Sequence, residues 1–415
     1  MAVMLVGCGA NFSDESAPAR QIGYEFYSSL DSVPDSTGTL DEISAGVVSL
    51  FQRLQGKSEV FAALADWPDG QIQQQICAAL EAHPDVKFQL IVDPARFLAA
   101  IKDTSEAAKA KMPLLYHPQV GLANKENPRA GILNLKTKDA ALHVNMLLAT
   151  KLQPLGADDG SFTLLNSTSA FPNDSQPRIS EAIRVYGDSS LYARCFAYWE
   201  SLRGSKTEFG FITSHTYSNL HDHQAWFFPD IFTLEAPNAI AILSQLDAAM
   251  VETHQPAKVR LTIMGADDCH WTFFEQLVRL HIDHEADIKV VVCDTAAVAK
   301  EILDLMRVLP EGSVRLFAPR DSIHRTEMAS RLLLIDGPYR VSENQPATPL
   351  RLCFLLGEDY NLTAQRNHSS IWLRISDKRL FEDAEKHWRS IWDLAEDKPF
   401  DEARRIRNLG ACTQF

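Results

Sequence analysis

Two short apolar stretches carry the side chains whose types and spacing could do chemistry. In ALHVNMLLA, His143 and Asn145 are two residues apart, and in MASRLLLIDG, Arg331 precedes Asp336. Alternation along a strand would put His143 and Asn145 on the same face. An imidazole can transfer protons, and an arginine fork binds anions such as phosphate through paired hydrogen bonds. Both stretches are therefore candidates for a site that binds an anion and acts on it.

Each candidate also has a purely structural interpretation. A lone histidine on an apolar strand, such as His143, is usually a satisfied core residue, and Arg331 could form an ion pair with Asp336 or another local carboxylate. Asn361, in the later segment GEDYN, could bind a phosphate oxygen or serve as an ordinary turn residue. The sequence leaves these alternatives open.

Further histidines lie near these stretches. His324 lies on the predicted loop that enters the MASRLLLIDG strand and could deliver a second imidazole. The segment SHTYSNLHDHQ carries His215, a second candidate for that role, together with His221 and His223. Three imidazoles could hold a metal ion, but histidine-rich loops more often bind nothing, so no metal site is predicted.

Two segments of equal length, 56–93 and 257–294, contain the same order of elements. Each reads as an apolar strand, a loop, an amphipathic helix and a second apolar strand ending at Asp93 or Asp294. The helix stretches QIQQQICAALEAH and TFFEQLVRLHIDH space their apolar residues as a buried face requires. The pattern predicts a β-α-β unit that occurs twice.

A second pair of segments also matches, and it contains no gap: EAIRVYGDSSLYARCFAYWESL and SIWLRISDKRLFEDAEKHWRSI. Asp188 lies opposite Asp377, and Trp199 lies opposite Trp388. We expect each aspartate to end a strand and cap the helix that follows, and each tryptophan to dock that helix on the sheet. Two matched pairs in the same order indicate duplication of a whole α/β half.

This duplication predicts the organisation of the chain. The predicted parts are an N-terminal extension at 1–44, a first repeat at 45–203, a connecting segment at 204–224, a second repeat at 225–395 and a C-terminal tail at 396–415.

The order of elements resembles the phospholipase D superfamily. In each repeat, a strand–helix–strand unit precedes a strand similar to the H-x-K-x4-D motif, a turn similar to G-S-x-N, and a strand–aspartate–helix–tryptophan segment. The resemblance implies an α/β fold of two repeats related by a pseudo-twofold axis, each a mixed sheet flanked by helices. It also implies phosphodiester chemistry without a metal or other cofactor. In that family one histidine attacks phosphorus, another protonates the leaving oxygen, and lysine and asparagine side chains hold the other oxygens.

The first repeat keeps the family's histidine. The resemblance places His143 at the histidine position, Asn145 at the lysine position and Thr150 at the aspartate position. The counterpart of the G-S-x-N turn, at 166–169, reads NSTS and retains only the serine. The resemblance implies that His143 is the nucleophile and that Asn145 binds phosphate.

The second repeat departs further from the family motif. Ala329 stands at the histidine position and Arg331 at the lysine position, while Asp336 is retained. The segment GEDYN keeps the glycine and Asn361 but is one residue longer than the family's turn. Arg331 and Asn361 are thus implied phosphate-binding residues, and only one of the two histidines is present.

These departures favour a catalytically degenerate protein that binds a phosphate-bearing ligand or a protein partner in the cleft between the lobes. Removing one member of a catalytic pair typically costs several orders of magnitude in rate. The alternative is an atypical phosphodiesterase or phosphatidyl-transferring enzyme with His143 as nucleophile and His324 or His215 as the acid. A third interpretation is a structural subunit whose cleft is packed shut.

Composition narrows the partners and the location. A net charge of −14 disfavours tight non-specific binding to nucleic acid. No apolar run reaches the length of a membrane helix. The seven cysteines contain no CxxC motif and are typical of reduced thiols in a cytoplasmic protein. The stretch LVGC at 5–8 resembles a lipoprotein cleavage box, which makes association with the cell envelope the alternative.

Overall fold

The structure of the protein is a computed structural model. It describes residues 22–29, 41–65, 67–68, 70–92, 105–123, 141–142, 144–150, 161–165, 178–203, 216–219, 223–228, 238–264, 271–293, 300–317, 327–342, 344–357 and 368–396. These residues form two large mixed sheets with helices packed against them.

The first sheet is built from the N-terminal part of the chain. The strands of this part are β1 (Gly23–Ser28), β2 (Glu59–Leu64), β3 (Lys87–Val92), β4 (Val120–Leu122), β5 (Ala141–Leu142), β6 (Asn145–Ala149), β7 (Ser161–Leu165), β8 (Arg178–Ile179) and β9 (Glu181–Tyr186). The sheet has the strand order β1-β9-β7-β6-β2-β3-β4.

The second sheet is built from the C-terminal part. The strands of this part are β10 (Thr216–Asn219), β11 (His223–Phe227), β12 (Lys258–Ile263), β13 (Asp287–Cys293), β14 (Val314–Phe317), β15 (Glu327–Met328), β16 (Leu332–Tyr339), β17 (Thr348–Leu355), β18 (His368–Ser369) and β19 (Ile371–Ile375). The sheet has the strand order β10-β11-β19-β17-β16-β12-β13-β14.

Helices cover both sheets. They are α1 (Glu42–Gln52), α2 (Gly70–Ala82), α3 (Glu106–Lys111), α4 (Ser189–Leu202), α5 (Asn238–Thr253), α6 (Trp271–His284), α7 (Lys300–Val308) and α8 (Lys378–Leu394), with a 3-10 turn at Pro113–Tyr116. Below, the first sheet with α1–α4 is called the first half, and the second sheet with α5–α8 the second half.

The predicted helix caps are confirmed. Asp188 begins α4, and its side chain accepts hydrogen bonds from the backbone N–H groups of Ser190 and Leu191. Asp377 begins α8 in the same way and accepts from the Leu380 N–H. A carboxylate at this position satisfies N–H groups that have no partner inside the helix.

The predicted docking of the two tryptophans is also confirmed. The indole N–H of Trp199 on α4 donates to the Ala62 carbonyl of β2 over 2.8 Å. The indole N–H of Trp388 on α8 donates to the Leu261 carbonyl of β12 over 3.3 Å. Each helix is thereby fixed against the middle of its sheet.

The two sheets correspond strand by strand when β10 is set aside. β1 corresponds to β11, β9 to β19, β7 to β17, β6 to β16, and β2-β3-β4 to β12-β13-β14. The β2–β3 and β12–β13 pairs are parallel, as a β-α-β unit requires. The duplicated β-α-β unit and the fold of two mixed sheets flanked by helices are therefore confirmed, while the pseudo-twofold axis stays a prediction.

The hydrophobic core has three layers. The central layer lies between the two sheets, contains α4 and α8, and takes side chains from both halves, such as Ile183 of β9 and Leu373 of β19. One outer layer packs α1 and α2 on the first sheet, and the other packs α5, α6 and α7 on the second. The central layer makes the two halves one folding unit, because each half completes the other's core.

The predicted bounds of the extension, repeats, connecting segment and tail stay predictions. Two strands of the sheets lie outside the predicted repeats. β1 lies in the segment predicted as an N-terminal extension and pairs with β9 in the first sheet. β10 lies in the predicted connecting segment and pairs with β11 at the edge of the second sheet.

The helices and the cysteines bear on the expectations about membranes and thiols. Among the described residues, no helix is both long and apolar enough to cross a bilayer. The described cysteines, which are Cys77, Cys195, Cys293 and Cys353, are free thiols, as expected for reduced core residues.

Candidate active site between the two halves

Two short parallel ladders join the halves. β5 of the first half pairs with β18 of the second, and β15 of the second half pairs with β8 of the first. β5 directly precedes His143 in the chain, and β15 directly precedes Ala329. The entries to both motif strands are thus held by the opposite half, and a site assembled there needs both halves.

The strand register identifies equivalent residues on β6 and β16. Leu147 lies opposite Ala62, and Leu333 lies opposite Leu261. Ala62 and Leu261 are also the residues that accept the two tryptophan hydrogen bonds. Leu147 and Leu333 are therefore equivalent.

Counting back from these leucines makes Asn145 equivalent to Arg331 and His143 equivalent to Ala329, as the motif alignment has them. Asn145 is fully buried, and Arg331 is 5% exposed. Ala329 is also fully buried, and its N–H donates to the Ile179 carbonyl over 2.7 Å. The second half thus has a methyl group where the first half has an imidazole.

Four predicted site residues lie outside the described part of the chain. They are His143, His215, His324 and Asn361, and the turn at 166–169 lies outside it too. Their roles stay predictions.

The structural alternative for Arg331 was an ion pair with Asp336 or another local carboxylate; Asp336 is not the partner, and a pair with another carboxylate stays open. Asp336 pairs with Arg351 instead, with 3.7 Å between its Oδ1 and the arginine Nε. Arg331 and Asp336 are an odd number of residues apart along an extended segment, so their side chains leave opposite faces.

A buried carboxylate–imidazole pair near this junction was not predicted. Nε2 of His387 on α8 lies 3.0 Å from Oε1 of Glu181 at the start of β9. Glu181 is fully buried, and His387 is almost so. Glu181 follows Ile179, whose carbonyl binds the Ala329 N–H, by two residues. An imidazole from a helix is thus held by Glu181, two residues beyond the one that binds the Ala329 N–H.

A second buried histidine, His223, contacts both a tyrosine of β1 and a carboxylate at the start of α4. Nδ1 of His223 on β11 lies 2.8 Å from the hydroxyl of Tyr24 on β1, and its Nε2 lies 2.9 Å from Oδ2 of Asp188. The Tyr24 hydroxyl is hydrogen-bonded to Nδ1, whereas the Nε2–Asp188 contact is a close N–O approach without hydrogen-bond geometry. Its contacts are with the first half, and they link β11 to β1 and to the start of α4.

The buried thiols in the central layer are not nucleophiles. Burial, reinforced by the charge of Glu181, raises the pKa of Cys353 well above its usual range. Burial, reinforced by Asp188, does the same to the pKa of Cys195. Because the thiolate is the reactive form, both groups stay protonated and inert.

No protein-family model matches the sequence, and no curated protein matches it. Two solved structures resemble the chain over nearly its full length. Phosphatidylserine synthase from Haemophilus influenzae Rd KW20 aligns with 95% of this chain and 92% of its own, at 11% identity and a TM-score of 0.54. Polyphosphate kinase from Porphyromonas gingivalis aligns with 90% of this chain, at 12% identity and a TM-score of 0.50. The chain spans 48% of that kinase.

Both of these structures share the fold of this chain. The fold is phospholipase D-like. The resemblance predicted from the order of elements is thereby confirmed at the level of fold, and the two cross-half ladders lie at the entries to the strands that carry the motif positions.

The missed residues carried only a faint sequence signal. Glu181 is a charged residue at the start of the apolar strand EAIRVY, and His387 lies opposite Tyr198 in the gapless alignment. A buried polar residue in an apolar strand indicates a specific partner. The partner is about two hundred positions away, and only the packing of α8 against the first half brings it close.

Proposed function

We propose that this chain is a catalytically degenerate phospholipase D-like protein that binds a phosphate-bearing ligand in the cleft between its halves. The observation that carries the proposal is the equivalence of His143 and Ala329. Double displacement on phosphorus uses one imidazole to attack and another to protonate the leaving oxygen. A buried methyl group can do neither, so the protein would keep ligand binding and lose turnover.

Arg331 is the proposed anchor of the ligand. It stands where the family has lysine, and it is 5% exposed. A guanidinium binds two phosphate oxygens at once and stays charged at all accessible pH values. Asn145, at the equivalent position in the first half, would donate an amide hydrogen bond to the same group, and Asn361 is a further proposed contact.

The test combines turnover with binding. Purified wild type and His143→Ala are assayed for hydrolysis of bis-p-nitrophenyl phosphate, and tungstate binding is measured by calorimetry. We expect no hydrolysis by either protein, binding by the wild type, and about tenfold weaker binding by Arg331→Met. The matched control is Arg351→Met, an exposed arginine on β17, which should bind as the wild type does. Absence of tungstate binding would reject the proposal.

A second candidate is the atypical phosphodiesterase with His143 as nucleophile. The Glu181–His387 pair favours it, because the carboxylate that holds this imidazole lies two residues from Ile179, which binds the Ala329 N–H. Hydrolysis by the wild type that disappears in both His143→Ala and His387→Asn would establish this candidate. Hydrolysis that disappears only in His143→Ala would direct attention to His324 and His215.

A further inference from the structure

Two buried hydroxyl groups meet at the entry to β16. The hydroxyl oxygens of Thr262 on β12 and of Ser330 lie 2.9 Å apart, and the Thr262 hydroxyl also accepts the Leu332 N–H over 2.8 Å. Thr262, Ser330 and Leu332 have no exposed surface. Ser330 and Leu332 are the two chain neighbours of Arg331, the proposed anchor of the phosphate-bearing ligand. One threonine hydroxyl thus contacts the residues on both sides of that arginine.

The first half has no hydroxyl groups at the corresponding place. By the strand register described above, Thr262 is equivalent to Ala63 and Ser330 to Val144. Ala63 and Val144 are apolar members of the central layer. A hydroxyl group costs free energy in such a layer unless it is hydrogen-bonded, so the two hydroxyls stabilise each other's burial. This polar pair occurs in the half whose motif strand carries the arginine.

The backbone ladder beside the motif strand also differs between the halves. In the first half, the ladder between β2 and β6 includes Asn145, which is therefore fixed by the sheet itself. In the second half, the ladder between β12 and β16 ends at Leu333, two residues beyond Arg331. A regular antiparallel ladder would next join the backbones of Leu332 and Thr262, but the Leu332 N–H binds the threonine hydroxyl instead. On the β12 side, a side chain has taken over the role of the ladder.

These contacts determine where the Arg331 side chain points. Its carbonyl accepts the Leu356 N–H over 3.0 Å, while the hydroxyl pair holds its two neighbours on the β12 side. Side chains alternate along an extended segment, so Arg331 leaves the face opposite to Ser330 and Leu332. Groups that bind a ligand must be held to within about 0.5 Å by the contacts behind them. The hydroxyl pair is such a contact.

We propose that Thr262 is a positioning residue for the phosphate site, and that with Ser330 it fixes the direction of Arg331. The inference rests on the proposed function, in which Arg331 anchors the ligand. Thr262 acts through the backbone on either side of Arg331 and does not touch the ligand. Asn145, which is held within its ladder, has no equivalent device.

The test is tungstate binding by full-length Thr262→Val, measured by calorimetry. Valine has nearly the shape of threonine but can neither accept the Leu332 N–H nor bind the Ser330 hydroxyl. We expect about tenfold weaker binding, and recovery to within about twofold of the wild type in Thr262→Ser, which keeps the hydroxyl. Ser330→Ala is the milder variant, because it keeps the hydrogen bond between Thr262 and Leu332, and it should weaken binding by about threefold.

The matched control is Ser58→Ala. Ser58 is also fully buried, and its hydroxyl accepts a backbone N–H, that of Gln55, over 3.0 Å. It lies just before β2, in the other half. This variant loses a comparable hydrogen bond and should bind tungstate as the wild type does.

A double variant separates positioning from a general loss of stability. In the Arg331→Met background, Thr262→Val should cause no further loss of tungstate affinity, because the group that it positions is gone. A threonine that only stabilised the fold would weaken binding by the same factor in both backgrounds.

Two results would overturn the inference and leave the proposed function intact. The first is wild-type affinity in both Thr262→Val and Ser330→Ala, with binding still weakened by Arg331→Met. The second is an equal loss from Thr262→Val with and without Arg331. Absence of tungstate binding by the wild type would instead reject the proposed function, and this inference with it.

Discussion

Each half buries an arginine at the same place in its sheet, but only one of the two is paired. Arg184 on β9 lies opposite Glu25 on β1, and its guanidinium donates to that carboxylate over 2.9 Å and to the Gly46 carbonyl over 2.6 Å. Arg374 on β19 lies opposite Gln224 on β11. Each arginine is 1% exposed.

None of the three guanidinium nitrogens of Arg374 has a hydrogen-bond partner in the described part of the chain. Burial lowers the pKa of Arg374 as a result, and the nearby Tyr339 opposes this only in part. The position of Glu25 is taken in the second half by Gln224, a neutral amide. The comparison teaches that the duplicated backbone tolerates a change in buried charge, so each half's polar groups can diverge while the sheets keep their order.

Replacing each arginine with methionine tests most directly whether the two buried arginines differ in their contribution to stability. Arg184→Met should destabilise the protein by about 3 kcal/mol, because Glu25 and the Gly46 carbonyl lose their partner. Arg374→Met should be neutral or stabilising by about 1 kcal/mol, because it removes an uncompensated buried charge at similar volume. Urea unfolding monitored by circular dichroism measures both. Equal losses would mean that Arg374 has a partner in the folded protein.

The two tryptophan hydrogen bonds give a second contrast between the halves. Trp199→Phe should cost about 2 kcal/mol and Trp388→Phe about 1 kcal/mol, since each leaves a buried strand carbonyl unpaired. The first loss is larger because its hydrogen bond is shorter, at 2.8 Å against 3.3 Å. The same unfolding experiment ranks them, and a reversed order would refute the geometric reason.

Placing a carboxylate opposite Arg374 tests whether the missing partner alone distinguishes the two arginines. Gln224→Glu puts glutamate opposite Arg374, where the first half has Glu25, and should stabilise the protein by about 1 kcal/mol. The gain should vanish in the double variant Gln224→Glu/Arg374→Met, which measures the coupling directly. A gain that persists in the double variant would show that the glutamate acts through another group.

Much of the fold could be predicted because its signals are local. The β-α-β units follow from apolar periodicity, and the caps at Asp188 and Asp377 follow from a carboxylate placed just before an amphipathic helix. The tryptophan positions follow from the same helical periodicity. Part of the candidate site could be placed too, since Asn145 and Arg331 are equivalent in both the motif and the strand register.

The gapless alignment failed where one residue changes the face of a strand. It puts Arg374 opposite Val185, whereas the strand register makes Arg374 equivalent to Arg184. In the first half Leu147 pairs with Thr163 and Thr163 with Arg184, and in the second Leu333 pairs with Phe354 and Phe354 with Arg374. The first half has one more residue between this arginine and the capping aspartate, where Gly187 adopts a φ of 82°. Because side chains alternate with a period of two, such a slip moves a buried arginine to the wrong face.

The sequence by itself determined the duplicated α/β plan, because apolar periodicity within a short window decides it. The absence of one of the family's two histidines is what the resemblance to the phospholipase D motif implies. Only the tertiary structure decided that Glu181 meets His387 and that His223 is held by Tyr24 and Asp188. These contacts join opposite halves of the chain. They depend on how two sheets pack around α4 and α8, and packing across such separations leaves no periodic trace in the sequence.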